Sequence, residues 1–299
     1  MREGQQLALR AIVQDRSLVY VELTKPRITA MVLLTVCVGY AIAPHATTPP
    51  MALLHVLVGA ALSCSGAGAL NQLIERETDS AMGRTRFRPL PSRRVAPWQA
   101  LAIGVTLALG GVAYLLATTN GLTATVDAAT LIGYLIIYTP LKRITPHSTL
   151  VGAVPGALPP VMGWTAATNE IGAGAAVLFA ILFLWQIPHF LAIGRMYRED
   201  YARGGFPMLV VVDGAQEIAG HQMVVYALVL IPVSLLLAPL GLAGGVYFTC
   251  ALLAGTAYVI AAVKAARDPG ARAARALLIT SVLHLPVLLG SLLLERIVA

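Results

Sequence analysis

Nine apolar runs, each close to membrane-spanning length, divide this chain of 299 residues and restrict its fold more than any other feature. They lie near residues 28–44, 51–73, 97–117, 122–141, 148–165, 171–194, 221–239, 244–263 and 276–295. A helix needs about 20 apolar residues to cross the hydrocarbon core of a bilayer. In lipid only helices or closed barrels satisfy every backbone polar group, and runs this long predict helices. Composition agrees, with 58% hydrophobic and 12% charged residues, against ~25% charged in an ordinary soluble domain. The expectation is one all-α polytopic membrane domain over residues 1–299, with 1–26 as a segment preceding the first span.

Net charge of +7 and a pI near 9.6 would suit nucleic acid, but the positions of the charges point to a membrane instead. The connections Pro44 to Pro50, Thr118 to Gly121, Ala166 to Glu170 and Leu240 to Ala243 contain no Lys or Arg. With strictly alternating spans, 20 of the 21 basic residues then share one face, Arg296 being the exception. By the positive-inside rule that face is cytosolic, with the N-terminus in and the C-terminus out. Cys37, Cys64 and Cys250 sit singly in apolar runs, so neither a disulfide framework nor a zinc site is expected. The first run ends in Ala41-Ile42-Ala43, which resembles a signal-cleavage site, but a retained first span is the preferred reading.

Leu70 to Pro91, LNQLIERETDSAMGRTRFRPLP, holds the densest polar chemistry. Asn71, Glu75 and Asp79 recur every four residues, so on an α-helix they form one stripe while Glu77 points elsewhere. Arg84, Arg86 and Arg88 follow. Taken singly, acids and arginines just outside a membrane helix are interfacial anchors. A carboxylate stripe there is costly unless it is paired or metal-bound, which points to function. A second segment echoes the first: RMYREDYARGGFPML carries Glu199, Asp200 and Arg203 after span six. The two acid sites converge only if the bundle wraps around a central cavity. Mg²⁺ is normally shared between one or two carboxylates and substrate phosphates, so Asn71, Glu75 and Asp79 opposed by Asp200 suit a metal-bridged phosphate ester. Lys25 and Arg27 before span one, Lys142 and Arg143 after span four, and the loop arginines offer the balancing cations.

Two apolar segments are unusual. Span five, LVGAVPGALPPVMGW, holds Pro155, Pro159 and Pro160, and so reads either as cavity lining or as ordinary close packing. In WQIPHF of span six, Pro188 frees the Leu184 carbonyl, and Trp185 and His189 share a face. His189 is a packing residue or a substrate contact; His45, His55, His284 and Asp127 read as structural.

These residues resemble the membrane-intrinsic prenyltransferases of the 4-hydroxybenzoate polyprenyltransferase superfamily, most nearly its protoheme IX farnesyltransferases. The resembling segments are TKPRIT (24–29), NQLIERETDSAMGRTRFRPLP (71–91), YTPLKRITPHST (138–149), GAVPGALPPVMGW (152–164), WQIPHF (185–190) and DYARGGFPML (200–209). Spans seven to nine match only as apolar helices. Departures are Glu75, where the family usually has Asp, and the flanks of Asp200. There Met196 and Gly204 stand where a paired acid would lie.

The resemblance implies nine helices around a central cavity in a bacterial inner membrane. It implies transfer of a farnesyl group from farnesyl diphosphate to a vinyl group of heme B, with water added, giving heme O. Asn71, Glu75, Asp79 and Asp200 would hold Mg²⁺ and diphosphate; Lys25, Arg27, Arg84, Arg88, Lys142 and Arg143 would neutralise the leaving group. For the acceptor, Trp185 offers a stacking face and His189 either an iron ligand or a partner for a propionate. Heme-delivery or oxidase-assembly partners are compatible with this. The rivals are a prenyltransferase with an aromatic acceptor such as 4-hydroxybenzoate, and a secondary transporter, which would place its polar groups at mid-membrane depth.

Overall fold

The computed structural model describes residues 18–44 and 51–298, and among them it contains helices and turns but no strand. The apolar runs become α1 (Pro26–Ile42), α2 (Met51–Ile74), α4 (Pro97–Thr118), α5 (Gly121–Leu141), α6 and α7 (Ser148–Ala157 and Pro159–Thr168), α8 (Ala173–Met196), α10 (Gln216–Leu235), α11 (Gly245–Arg267) and α12 (Ala271–Val298). Two short helices, α3 (Arg76–Ala81) and α9 (Arg198–Arg203), follow α2 and α8. Among the described residues eight spans are long and apolar enough to cross a bilayer, counting α6 and α7 as one, and α1 is a shorter apolar helix of 17 residues. At 1.5 Å per residue α1 covers roughly 25 Å, slightly under a full hydrocarbon core.

Helix ends follow local chemistry. Pro26 and Pro97 stand at first-turn positions, where a missing N–H costs nothing. The Asn120 side chain accepts from the Thr123 N–H at 2.8 Å and starts α5. Glu295 of α12 accepts from the Gly244 and Tyr247 N–H groups at 2.6 and 2.9 Å, capping α11 from a neighbouring helix.

The spans pack as a ring in chain order, α1, α2, α4, α5, α6, α8, α10, α11 and α12, and α12 closes the ring on α1. The fifth span is interrupted at Leu158, next to Pro159 and Pro160, which donate no N–H. Its second half, α7, is enclosed by α1, α2, α5 and α8, and its residues from Pro159 to Ala167 are buried. Of the two readings of this segment, close packing describes α7. A Cβ on Gly39 would lie 1.9 Å from the Pro160 carbonyl oxygen, and one on Gly163 1.9 Å from that of Val36. Small residues thus let α1 and α7 touch backbone to backbone. The outward faces carry exposed Leu, Ile and Val, such as Leu109, Leu116 and Leu253, as lipid contact requires. The ring brings Lys25, the end of α2, the end of α5 and α9 to one end of the bundle, as the contacts below show.

Candidate active site

The acid stripe survives a bend. Helix α2 ends at Ile74 and α3 begins at Arg76, leaving Glu75 outside both at φ −91° and ψ 5°. Glu75 N–H still donates to the Asn71 carbonyl (3.0 Å), and Asp79 N–H to the Glu75 carbonyl (2.8 Å). The four-residue repeat therefore keeps its face. Asn71, Glu75 and Asp79 are all buried, with Asp79 at 0% exposure, whereas Glu77 faces outward beside Arg76.

Cations from three separate parts of the chain meet this stripe. Lys25 Nζ donates to Asn71 Oδ1 at 2.7 Å, and Lys142 Nζ to Glu75 Oε1 at 2.8 Å. Arg88 Nη1 reaches both oxygens of Asp79, at 2.9 and 2.7 Å. Each base is placed by its own local structure. Lys25 adopts left-handed backbone geometry, φ 53° and ψ 57°, a strained state for a side-chain-bearing residue. The turn packs closely on α2, where a Cβ on Gly68 would lie 3.3 Å from the Thr24 carbonyl oxygen, and Gln72 Nε2 holds the Leu23 carbonyl at 2.9 Å. Arg88 sits in a coiled loop pinned by Thr85, whose hydroxyl donates to the Asp79 carbonyl at 3.0 Å. Lys142 follows a π-helical stretch, Ile132–Tyr138, and its ammonium lies 4.6 Å from the Tyr138 ring centroid.

That stretch also orients Asn71. The Thr139 hydroxyl donates to the Tyr134 carbonyl (2.8 Å), so it accepts from Asn71 Nδ2 (3.2 Å). Asn71 Oδ1 is thereby turned toward Lys25. Because that partner is a neutral amide, Lys25 makes no direct ion pair among the described residues. Burial and the neighbouring Arg88 push its ammonium down to about 7. An arriving anion favours its charged form.

Asp200 does converge on the first segment, through the loop after α3. Its Oδ1 accepts from the Gly83 N–H (3.2 Å) and its Oδ2 from the Arg84 N–H (3.1 Å), and Arg203 also donates to it. The Arg203 guanidinium first, then the Arg84 and Gly83 N–H groups, hold its carboxyl below the usual carboxylate range. Arg84 lies against the Tyr197 and Tyr201 rings and donates to the Tyr201 hydroxyl at 3.3 Å. Arg27 and Arg143 are exposed and make no bond to the stripe among the described residues.

Trp185 and His189 form a second polar group, on α8. Their rings stack with centroids 4.8 Å apart at 23°. Trp185 Nε1 donates to the Ser281 carbonyl (2.9 Å), and His189 Nδ1 lies 2.7 Å from Ser281 Oγ. The Tyr258 hydroxyl donates to the Trp185 carbonyl at 2.9 Å. Asp127 is buried and accepts from Ser63 of α2, and no ion pair to it is formed among the described residues. Sequence reasoning missed Thr139, Ser281 and Tyr258 as members of these groups. Tyr138 carried a usable signal, since it lies four residues before Lys142 on the same chain face.

The UbiA prenyltransferase family matches residues 32–284. Protoheme IX farnesyltransferase from Solibacter usitatus is 47% identical over 93% of this chain and 98% of that protein. The protein of the same name from Koribacter versatilis is 39% identical over 93% of each. A solved digeranylgeranylglyceryl phosphate synthase shares the fold with TM-score 0.78 at 16% identity, covering 95% of this chain and 100% of that one. A UbiA homolog from Archaeoglobus fulgidus, solved with DMAPP and Mg²⁺, gives TM-score 0.65 at 14% identity over 91% and 98% of the two chains. An all-helical membrane fold, an acid stripe met by three bases and these relatives lead to one assignment: the chain is a multi-pass membrane prenyltransferase that belongs to the UbiA family, within its protoheme IX farnesyltransferases.

Proposed function

We propose that this chain transfers the farnesyl group of farnesyl diphosphate to a vinyl group of heme B, adding water and releasing diphosphate, to give heme O. The observation that carries this is the convergence of Lys25, Arg88 and Lys142 on the buried Asn71, Glu75 and Asp79 stripe at one end of an apolar ring of helices. Breaking the allylic C–O bond sends an electron pair to the diphosphate and leaves a delocalised cation. The vinyl π electrons attack that cation, and water captures the new positive centre and loses a proton. Groups aimed at developing charge on the leaving oxygens supply the largest catalytic contribution in such reactions.

Lys25, Lys142 and Arg88 are held by stripe oxygens, and in this reading each turns from them to phosphate oxygens when the substrate arrives. That exchange frees hard oxygen donors, the chemistry Mg²⁺ prefers. Asn71, Glu75 and Asp79 fit as its holders; when bound, the metal stabilises charge on the leaving diphosphate. Asp200, whose oxygens are engaged by Gly83, Arg84 and Arg203, acts on the same site by holding the arginine loop. In this reading Arg84 meets the diphosphate from that loop, with Arg27 and Arg143 as outer attraction.

Trp185 and His189 on α8 supply the acceptor contacts, and apolar helices around them delay capture of the cation by bulk water. The same proposal places the domain in the bacterial inner membrane with the stripe and the N-terminus on the cytosolic side, open to a heme-delivery partner. A secondary transporter does not fit a member of this enzyme family. Incubation with farnesyl diphosphate, Mg²⁺ and heme B, or 4-hydroxybenzoate in parallel, followed by mass analysis, tests the function. The expected product is heme O alone; prenylation of only the aromatic acid overturns the heme assignment.

A further inference from the structure

Ser281 of α12 is fully buried where α8, α11 and α12 meet, and it is bonded to both members of the stacked pair on α8. Its hydroxyl oxygen lies 2.6 Å from the Leu278 carbonyl and 2.7 Å from His189 Nδ1. A carbonyl oxygen has no proton to give, so a contact that short places the hydroxyl proton between the two oxygens. Serine has no second proton. Toward His189 it can only accept, and Nδ1 therefore carries the N–H. In a neutral imidazole the lone pair then sits on Nε2, which has no hydrogen-bond partner among the described residues. Trp185 fixes the ring plane by stacking, and its own indole N–H is tied to the Ser281 carbonyl.

A neutral Nε2 with a lone pair cannot donate to a propionate, but it can ligate a metal. We infer that Ser281 is a positioning residue that locks His189 in the Nδ1–H tautomer, so that Nε2 ligates the iron of the porphyrin acceptor. This rests on the heme reading above and chooses between the two roles the sequence leaves open for His189. Ligation orients the macrocycle without involving iron in the chemistry. A hydrogen bond to the second ring nitrogen is the usual means of aiming a histidine ligand, and losing it typically lowers metal affinity roughly 10- to 100-fold.

The test is a titration of the full-length, detergent-solubilised protein with hemin, read by the Soret band and by electron paramagnetic resonance. Farnesyl diphosphate binding is measured in parallel. Wild type is expected to give a histidine-ligated spectrum. Ser281→Ala is expected to weaken hemin binding by roughly 10- to 100-fold and leave diphosphate binding unchanged, and Ser281→Thr to restore hemin binding. Wild-type hemin affinity and spectrum in Ser281→Ala overturn the positioning role while leaving the heme reading intact. A wild-type spectrum in His189→Ala overturns iron ligation, and unaltered heme O formation in that variant removes His189 from the acceptor site altogether. If Ser281→Ala loses both ligands, Ser281→Thr and Ser281→Val, equal in shape, isolate the hydroxyl. Tighter hemin binding by the threonine variant supports the inference, and equal binding overturns it.

Discussion

Asp79 is the most deeply placed acid of the stripe, and both its oxygens are bound by Arg88. Asp79→Asn keeps the shape but removes the charge, leaving Arg88 with a single neutral acceptor. Turnover is expected to fall roughly 10²-fold or more, the scale of losing one charge-stabilising group. The check is a steady-state rate across a Mg²⁺ titration; wild-type turnover throughout would reduce the stripe to an interfacial charge. Glu75→Asp shortens the reach to Lys142 and restores the residue usual in the family, so a milder loss is expected. Asp200→Asn tests the loop clamp. One amide oxygen cannot accept from Gly83, Arg84 and Arg203 as the carboxylate does, so the KM for farnesyl diphosphate should rise about tenfold. Hydrogen exchange over residues 83–88 should quicken as well, and unchanged exchange would disprove the clamp. Because the Asp200 pKa is depressed by Arg203 and the two N–H groups, the clamp contributes fully above the unfolded value of ~3.9. It is lost as pH falls through the lower folded value, so in the wild type the protection of these amides, taken relative to their intrinsic exchange rate at each pH, should drop only under acid. The stripe itself was legible because a repeat of four needs only helix geometry. Its pairing with Lys25 was not, since that depends on a left-handed lysine that no local sequence rule prescribes.

Among the elements, α1 carries two demands at once: its start presents Lys25 to the stripe, and its middle fits against α7. Gly39→Ala would place a Cβ 1.9 Å from the Pro160 carbonyl oxygen, which a backbone atom cannot avoid without moving a helix. Overpacking of this kind costs about 1–3 kcal/mol or more. Gly110, within α4, has nothing within 4 Å of the corresponding Cβ. Gly110→Ala should be neutral or stabilising by up to ~1 kcal/mol, through helix propensity. Thermal unfolding in detergent distinguishes the two: a marked drop for Gly39→Ala beside an unchanged or raised midpoint for Gly110→Ala. Equal midpoints would show that α1 and α7 are not interlocked. The spans were legible within a few residues from hydropathy alone, and the break of the fifth span from Pro159 and Pro160. The π-helical turn before Lys142 was not, because IGYLIIY reads as ordinary apolar helix. That register change places the Tyr134 carbonyl under Thr139 and so orients Asn71.

At the scale of the whole molecule, charge gathers at one end. Arg84, Arg86, Lys142, Arg203 and Arg272 follow or precede alternate spans on the same side, and the connections at the other end carry no Lys or Arg up to Ala243. Even Arg195, within α8, serves that end, donating to the Ala265 and Gln216 carbonyls where α11 stops and α10 starts. The asymmetry was legible without a structure; the closing of the ring by α12 on α1 was not, because it joins the last span to the first. Lys and Arg near span ends fix orientation during insertion, so the stripe and its arginine loop should face the cytosol. In a background with Cys37, Cys64 and Cys250 replaced, Arg86→Cys and Leu240→Cys place single thiols at exposed positions on the two sides. A membrane-impermeant maleimide applied to whole cells should label position 240 and leave position 86 unlabelled until the membrane is opened. Labelling of position 86 from outside, with position 240 protected, would invert the orientation. The diphosphate site would then face away from the cytosolic pool of soluble substrate.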